Sequence, residues 1–329
     1  MNISKQTQNI VDNVLVKQPP EDWQLKYVPH GVNKEEFYPI SEINVEEYKD
    51  FTEYKDKLLG NKEYDFIMFY NSRNIRRKST SDIILAYKIF CDKLPKEESE
   101  KCLLLLHTDP VDNNGTDLPA VVDMVCPEYD VKFSTKKVDV KQLNYLYNMS
   151  DVTVSLSSAE GFGLGTCESL MAGTPILVNV TGGLQDQCGF VDDKNEPYNF
   201  TPEWPSNSNG RYKTHGDWAK VVYPTARSLV GSIPTPYIFD SRCSFEDAAD
   251  MMMEWYKEGK EERQQMGLSG RDYVLDPATG MESGEMCRRF IESMNGAFDN
   301  WKPAKPFGLF DANYKRPKDL SAGIALERA

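Results

Sequence analysis

The stretch AEGFGLGTCE puts Gly161, Gly163 and Gly165 at alternate positions between Glu160 and Glu168. Glycines that dense bare the backbone to a ligand, and amides at a helix start offer an anion donors backed by the helix dipole. A second chemically useful group is the basic run SRNIRRKST, which holds Arg73, Arg76, Arg77 and Lys78. Arginine forks onto two phosphate oxygens, lysine meets one as a point charge, and carboxylates accept hydrogen bonds from hydroxyls. Each part also has a plainer reading. The glycines suit a tight turn with positive φ angles, Glu168 suits the first turn of a helix, and the basic run suits a solvated turn. The spacing G-x-G-x-G is not the dinucleotide fingerprint G-x-G-x-x-G, and no Walker Gly-Lys-Ser/Thr follows it.

The elements that must position these residues follow from the apolar pattern. Short apolar runs at 65–70 (DFIMFY), 101–107 (KCLLLLH), 129–133, 151–157 and 174–180 predict buried strands. Between them, helical spacing predicts helices from Ser79 onward, near 117–126, over 140–150, and over 166–173, the last closed by Gly173. Alternation of this kind implies an α/β fold, a doubly wound parallel sheet of Rossmann-like type. The glycine loop then follows a strand and opens a helix, at the sheet edge where ligands bind. Three further helices are expected at 244–259, 261–275 and 284–298, and within the first 60 residues a short strand at 25–29 and a helix near 44–59. Residues 189–240, rich in Pro, Asn, Asp and Gly, read as a partly irregular insertion.

Composition narrows the function classes. The chain has 329 residues, 40% of them hydrophobic, enough for a large core. Its net charge of −13 excludes whole-surface attraction to nucleic acid or anionic lipid, so an anion must be met by a local basic cluster. Seven scattered cysteines, an odd number without a C-x-x-C pair, imply reduced thiols and a cytoplasmic setting. Three distant histidines and an adjacent Asp192-Asp193 pair offer no convincing metal site. No apolar run approaches the roughly 18 residues that span a bilayer, and the polar N-terminus lacks a signal-peptide core.

Taken in order, several motifs resemble the donor-binding domain of retaining GT-B glycosyltransferases, those of glycosyltransferase family 4. They are E160-G-F-G-L, Glu168 in the helix, Ala172-Gly173-Thr174-Pro175, and Gly182-Gly183. VPHGVNKEEFYP (28–39) resembles the family's interdomain segment, and YNSRNIRRKSTSDIILAYKIF its phosphate-binding strand, turn and helix. The resemblance runs with gaps from about 25 to 190 and more loosely to 295. It implies transfer of a sugar from a nucleotide-sugar donor with retention of anomeric configuration, without a metal or other cofactor. It assigns Arg73 and Lys78 to the diphosphate, Glu168 to the ribose hydroxyls and Glu160 to the sugar. The backbone of Gly161, Phe162, Gly163 and Leu164 would meet the sugar, and that of Gly165 and Thr166 the phosphates. The base would lie against the segment from Phe133 to Val138. Arg76 and Arg77 are left as solvated.

Departures accompany these matches. Ser72 and Ser79 stand where the family has glycines, Gly165 where proline is common, and Asp186 where glutamate is frequent. The resemblance implies residues 1–60 as a remnant of the N-terminal domain with the interdomain segment, 61–298 as the nucleotide-sugar-binding domain, and 299–329 as a tail. The acceptor half is then expected from a partner chain, from self-association, or from a longer protein. The alternative is a non-catalytic nucleotide-sugar-binding or assembly subunit. Trp204, Tyr212, His215 and Trp218 in the insertion suit either an acceptor or self-association surface, or a loop packed by its own aromatics.

Overall fold

The structure, a computed structural model, describes residues 1–15, 19–60, 62–197, 212, 214–233 and 235–303. The chain opens with α1 (Lys5–Val14) and α2 (Val45–Leu59). Strands and helices then alternate through β1 (Phe66–Asn71), α3 (Thr80–Asp92), the short α4 (Lys96–Ser99), β2 (Cys102–His107), α5 (Leu118–Val125) and β3 (Val131–Ser134). The alternation continues with α6 (Val140–Asn148), β4 (Val152–Ser155), α7 (Leu164–Met171) and β5 (Ile176–Asn179). After β6 (Ala219–Val222) comes a hairpin of β7 (Pro224–Ser232) and β8 (Thr235–Cys243). Three helices follow: α8 (Phe245–Lys257), α9 (Lys260–Leu275) and α10 (Ser283–Asn300).

β1 to β6 form one parallel sheet in the order β3-β2-β1-β4-β5-β6. Alternate residues of the central strands feed two cores. Ile67, Phe69, Leu103 and Leu105 pack with Leu146 of α6, Leu170 of α7 and Val274 of α9. Phe66, Met68, Leu104 and Leu106 pack with Ile83 and Phe90 of α3 and Met252 and Trp255 of α8. Burial on both faces makes these strands read as continuous apolar runs rather than alternating ones. Leu103 to Leu106 have no exposed surface. Each contributes about 1.5–3 kcal/mol relative to an exposed side chain. The helices begin where capping side chains allow. Asp139 and Gln142 make a reciprocal capping box at α6, and Asp117 caps α5.

This order places the site. β1 and β4 are neighbours, yet the chain leaves β1 for α3 on one face and leaves β4 for α7 on the other. Diverging connections open a crevice at the carboxyl ends of the two strands, the topological switch point of a doubly wound sheet. The basic run leads out of β1 and the glycine loop out of β4, so the fold brings them to the same crevice.

Three segments differ from expectation. Residues 25–29 form no strand: Tyr27 makes only an isolated bridge to Asn2, because the segment has a single short neighbour to pair with. No helix was expected over α1, where Ser4 accepts from the Thr7 amide and Asp186 accepts from the Lys5 amide at 3.0 Å. A cap and a tertiary contact thus anchor the start of this helix. In the region expected to be irregular, β6 extends the sheet along β5, and β7 and β8 pair antiparallel. Trp204 and the tail beyond 303 lie outside the described residues. Trp218 stacks on Tyr273 with ring centroids 4.7 Å apart and donates to the Gln187 carbonyl, and His215 stands edge-on to Phe190. These two aromatics pack inward.

Candidate functional site

A cleft of about 480 Å³ occupies the crevice, lined by the ends of β1 and β4, the basic turn, the glycine loop and the first turn of α7. At its mouth a short 3₁₀ turn, Arg76–Lys78, aims two successive cations at one carboxylate. Glu160 Oε2 accepts from Lys78 Nζ and, at 3.3 Å, from Arg77 Nη1, which also donates to the Ala159 carbonyl at 2.7 Å. The Lys78 and Glu160 side chains are only 14% and 11% exposed. Such a pair is weakly screened by salt, so an anion entering the cleft meets a concentrated positive charge that Glu160 only partly offsets.

The glycine loop is held from below by the turn at Gly182-Gly183. The Gly183 amide donates to the Glu160 carbonyl at 3.2 Å, while the Gln187 amide nitrogen donates to the carbonyls of Phe162 and Gly163 at 2.8 and 3.0 Å. Gly163, with φ of 92°, is the N-cap of α7 and brings no side chain to cap it. This glycine therefore serves both readings: the turn needs its left-handed backbone, and the bare start of α7 faces the cleft. Phe162 is buried, with His30 edge-on to it at 5.5 Å.

Glu168 lies one turn into α7 on the cleft wall. Its Oε2 accepts from Tyr147 Oη at 2.7 Å, and that hydroxyl accepts from Asn71 Nδ2 at 2.8 Å. The relay fixes the carboxylate by groups from α6 and β1. Burial pushes the Glu168 carboxyl above its ordinary range, and the Tyr147 hydrogen bond works against that rise. Because the folded-state value is raised, Glu168 favours folding toward acid pH, and that contribution is lost as pH rises through the raised value. Binding of a hydroxyl-bearing ligand to the ionised carboxylate runs the opposite way. Affinity for a nucleoside diphosphate should fall as pH drops through the raised Glu168 value, at a higher pH than an unperturbed Glu would give. Glu168→Gln should flatten that dependence in a calorimetric pH series, and an unchanged profile would remove Glu168 from the binding account.

The remaining expected residues divide. Gly161, Phe162, Gly163, Leu164, Gly165, Thr166, Glu160, Lys78 and Glu168 all line the cleft. Arg73 does not. Its guanidinium forks onto Asp112, with Nε and Nη2 at 2.7 and 3.3 Å from the two oxygens, and is 60% exposed. Arg77, which the sequence reading left in solvent, occupies the place beside Lys78, while Arg76 is exposed. The spacing showed a run of cations, but only the direction of the 3₁₀ turn selects among them. Phe133 and Val138 are half-buried and lie outside the cleft lining. Near them His107 Nδ1 and Ser134 Oγ, at the ends of β2 and β3, are 3.0 Å apart. Tyr147, Asn71, His30 and Gln187 were missed as site residues. Tyr147 falls within the helix expected over 140–150, and no motif marks the others. Arg73→Ala should lower diphosphate affinity by less than threefold, as expected for an exposed ion pair. A loss matching that of Lys78→Ala would instead place Arg73 in the cleft on ligand binding.

Among the described residues, no group of His, Cys, Asp or Glu side chains is placed to hold a metal, and no helix is long and apolar enough to cross a membrane.

Comparison with known proteins agrees with this geometry. Residues 128–190, which carry β3 through the glycine loop to the Gly-Gly turn, match the family described as Glycosyl transferases group 1. A stretch of 127 residues is 29% identical to trehalose synthase of Pyrococcus horikoshii, covering 36% of this chain and 30% of that protein. Among solved structures, sucrose-phosphate synthase from Thermosynechococcus elongatus superposes with a TM-score of 0.57 at 18% identity, over 91% of this chain and 58% of that one. Alr3699/HepE of Anabaena, solved with UDP and glucose, gives 0.59 at 13% identity, over 89% and 62%. The structural likenesses establish the α/β fold of GT-B glycosyltransferases. The chain spans less than a third of the curated relative and under two thirds of these structures.

Proposed function

We propose that the chain binds a nucleotide sugar in this cleft and transfers its sugar to an acceptor with retention of anomeric configuration, as a glycosyltransferase of the family 4 type. The observation that carries the proposal is the meeting of Lys78 and Arg77 with Glu160 at the bare N-terminus of α7, in one cleft with the anchored Glu168. The group 1 match over the same loop and the nucleotide and sugar held by the Anabaena relative support the ligand class. In the proposed reaction, the bond from the anomeric carbon to the terminal phosphate oxygen breaks, and the acceptor oxygen bonds to that carbon on the same face. The acceptor's proton passes to the departing phosphate. Charge grows on the diphosphate, so Lys78 and the first amides of α7 stabilise the transition state more than the ground state. The proposal assigns that charge to protein groups and involves no metal. Glu168 would accept from the ribose, Glu160 would face the sugar, and the base would lie toward Phe133 and Val138. A partner chain or further domain closing over the donor is part of this reading.

The experiment is incubation of purified protein with UDP-, GDP- and ADP-sugars, following release of free sugar or nucleoside diphosphate. Turnover of one donor that depends on Lys78 supports the enzyme. Tight binding without turnover, with or without added acceptor sugars, supports a nucleotide-sugar-binding subunit instead.

A further inference from the structure

α10 is 18 residues long, yet none of them is buried. Its ties to the rest of the chain are made by its first turns. The Gly31 amide donates to Met286 Sδ at 3.1 Å, and Arg289 Nη2 donates to the carbonyls of Pro277 and Ala278 at 2.7 and 2.8 Å. From Phe290 onward, the hydrogen bonds of α10 among the described residues stay within the helix. Its apolar residues are not scattered. Cys287, Phe290, Ile291, Met294, Phe298 and Trp301 recur at intervals of three and four, so they share one side of the helix. Phe290, Ile291, Phe298 and Trp301 are 49%, 58%, 73% and 64% exposed. Together they bare on the order of 400 Å² of apolar side chain, as large as the patches through which proteins associate. A helix of this kind gains most of its stability by burying its apolar side, so the stripe requires a cover.

The flanking charges and the order of the stripe select the cover. The polar side carries Arg288, Glu292, Asn295 and Asp299, without the lysine and arginine excess of a helix that lies on a membrane, and the chain's net charge is −13. The stripe is instead complementary to itself. It is symmetric about Met294, so a second α10 turned end for end sets Cys287 opposite Trp301, Phe290 opposite Phe298 and Met294 opposite Met294. Ile291 then meets Ala297, a large side chain against a small one. Arg288 and Asp299 lie on the same flank, three turns apart, so each Arg288 faces the other helix's Asp299. Arg288 already holds Glu285 and Glu292, while Asp299 has no ion pair among the described residues. The helix dipoles also oppose each other in this arrangement. Two such stripes with their flanks bury roughly 1,000 Å², the lower bound for a specific interface.

We propose that the chain forms a two-fold dimer through antiparallel pairing of α10 with α10 of a second copy, with Met294 at the axis. A contact of this kind is isologous and closes at two subunits. The proposal does not rest on the reading of the donor cleft. Sedimentation equilibrium of the full chain should show a mass rising toward twice that of the monomer between about 5 and 200 µM, the span suited to an interface of this size. Phe298→Asp should weaken the dimer at least about tenfold. Its urea midpoint should stay that of the wild type, because the ring is 73% exposed in the single chain. The register has its own test. With Cys287→Ser removing the exposed thiol, Met294→Cys should give a disulfide-linked dimer under mild oxidation, and Glu292→Cys on the polar side should not. In the wild type the two Cys287 thiols stand about 21 Å apart along the pair and should not cross-link. A chain that stays monomeric throughout the range would overturn the proposal, as would a dimer that Phe298→Asp leaves intact. Wild-type dimers linked through Cys287, or a Met294→Cys variant that cross-links no better than Glu292→Cys, would equally overturn the antiparallel pairing.

Discussion

Lys78→Ala is expected to lower turnover of the nucleotide sugar by about 10²–10³-fold, the usual cost of removing one preorganised group that stabilises developing negative charge. The effect should fall mainly on the rate of chemistry, with a smaller loss of ground-state diphosphate affinity, because the charge that Lys78 meets grows as the glycosidic bond breaks. Lys78→Arg should retain more activity than Lys78→Ala, since a cation remains beside Glu160. The comparison with Arg73→Ala decides which cation serves. The structure has Lys78 and Arg77 on Glu160 and Arg73 on Asp112, so the Lys78 variant should be impaired far more severely.

Gly182→Ala should rank with the most damaging glycine-to-alanine substitutions among the described residues. Gly182 has φ of 52°, and an added Cβ would lie 1.7 Å from the Glu160 carbonyl oxygen. No rotamer can relieve a clash between Cβ and backbone, so the Gly-Gly turn and the glycine loop must separate. The expected cost is about 3 kcal/mol or more in urea denaturation, in the range seen where strain and overpacking coincide. Separation would also move Glu160 away from Lys78, so ligand affinity should fall even where the fold survives. Gly60→Ala is the control. It shares a positive φ of 71° but would meet nothing within 4 Å, so only the backbone cost of about 1 kcal/mol remains. Equal effects of the two substitutions would mean that the contact beneath the glycine loop has no structural weight.

The strands of the central sheet were legible because each is buried on both faces. Runs such as FIMFY and CLLLLH have no alternation to be confused with surface strands. The turn residues between them marked the helices, and the place of the glycine loop at the ligand-binding edge of the sheet followed from the order of elements, while the switch point itself emerged only from the strand order. What was not legible depends on distant contacts. α1 starts where Asp186 receives the Lys5 amide, a contact across 181 positions. β6 has only four residues, and its pairing with β5 bridges a long polar stretch. In the site, Lys78, Glu160 and the glycine loop were identified from residue type and order. That Arg77 rather than Arg73 stands beside Lys78 in the structure was invisible, since the arginines of one basic run differ only in where the turn points them. Tyr147 was visible as a core residue but not as the donor that fixes Glu168, because one hydroxyl leaves no trace in an apolar stripe.

The measurement that bears most directly on the central claim is calorimetric titration of UDP, GDP and ADP into the wild-type chain and into Lys78→Ala and Glu168→Gln. The account predicts that at least one nucleoside diphosphate binds the wild type at millimolar concentration or below. It also predicts that Lys78→Ala and Glu168→Gln each weaken that binding by about tenfold, the scale of a lost charge-assisted hydrogen bond. Absence of binding by all three at millimolar concentration, or binding that neither substitution alters, would contradict it.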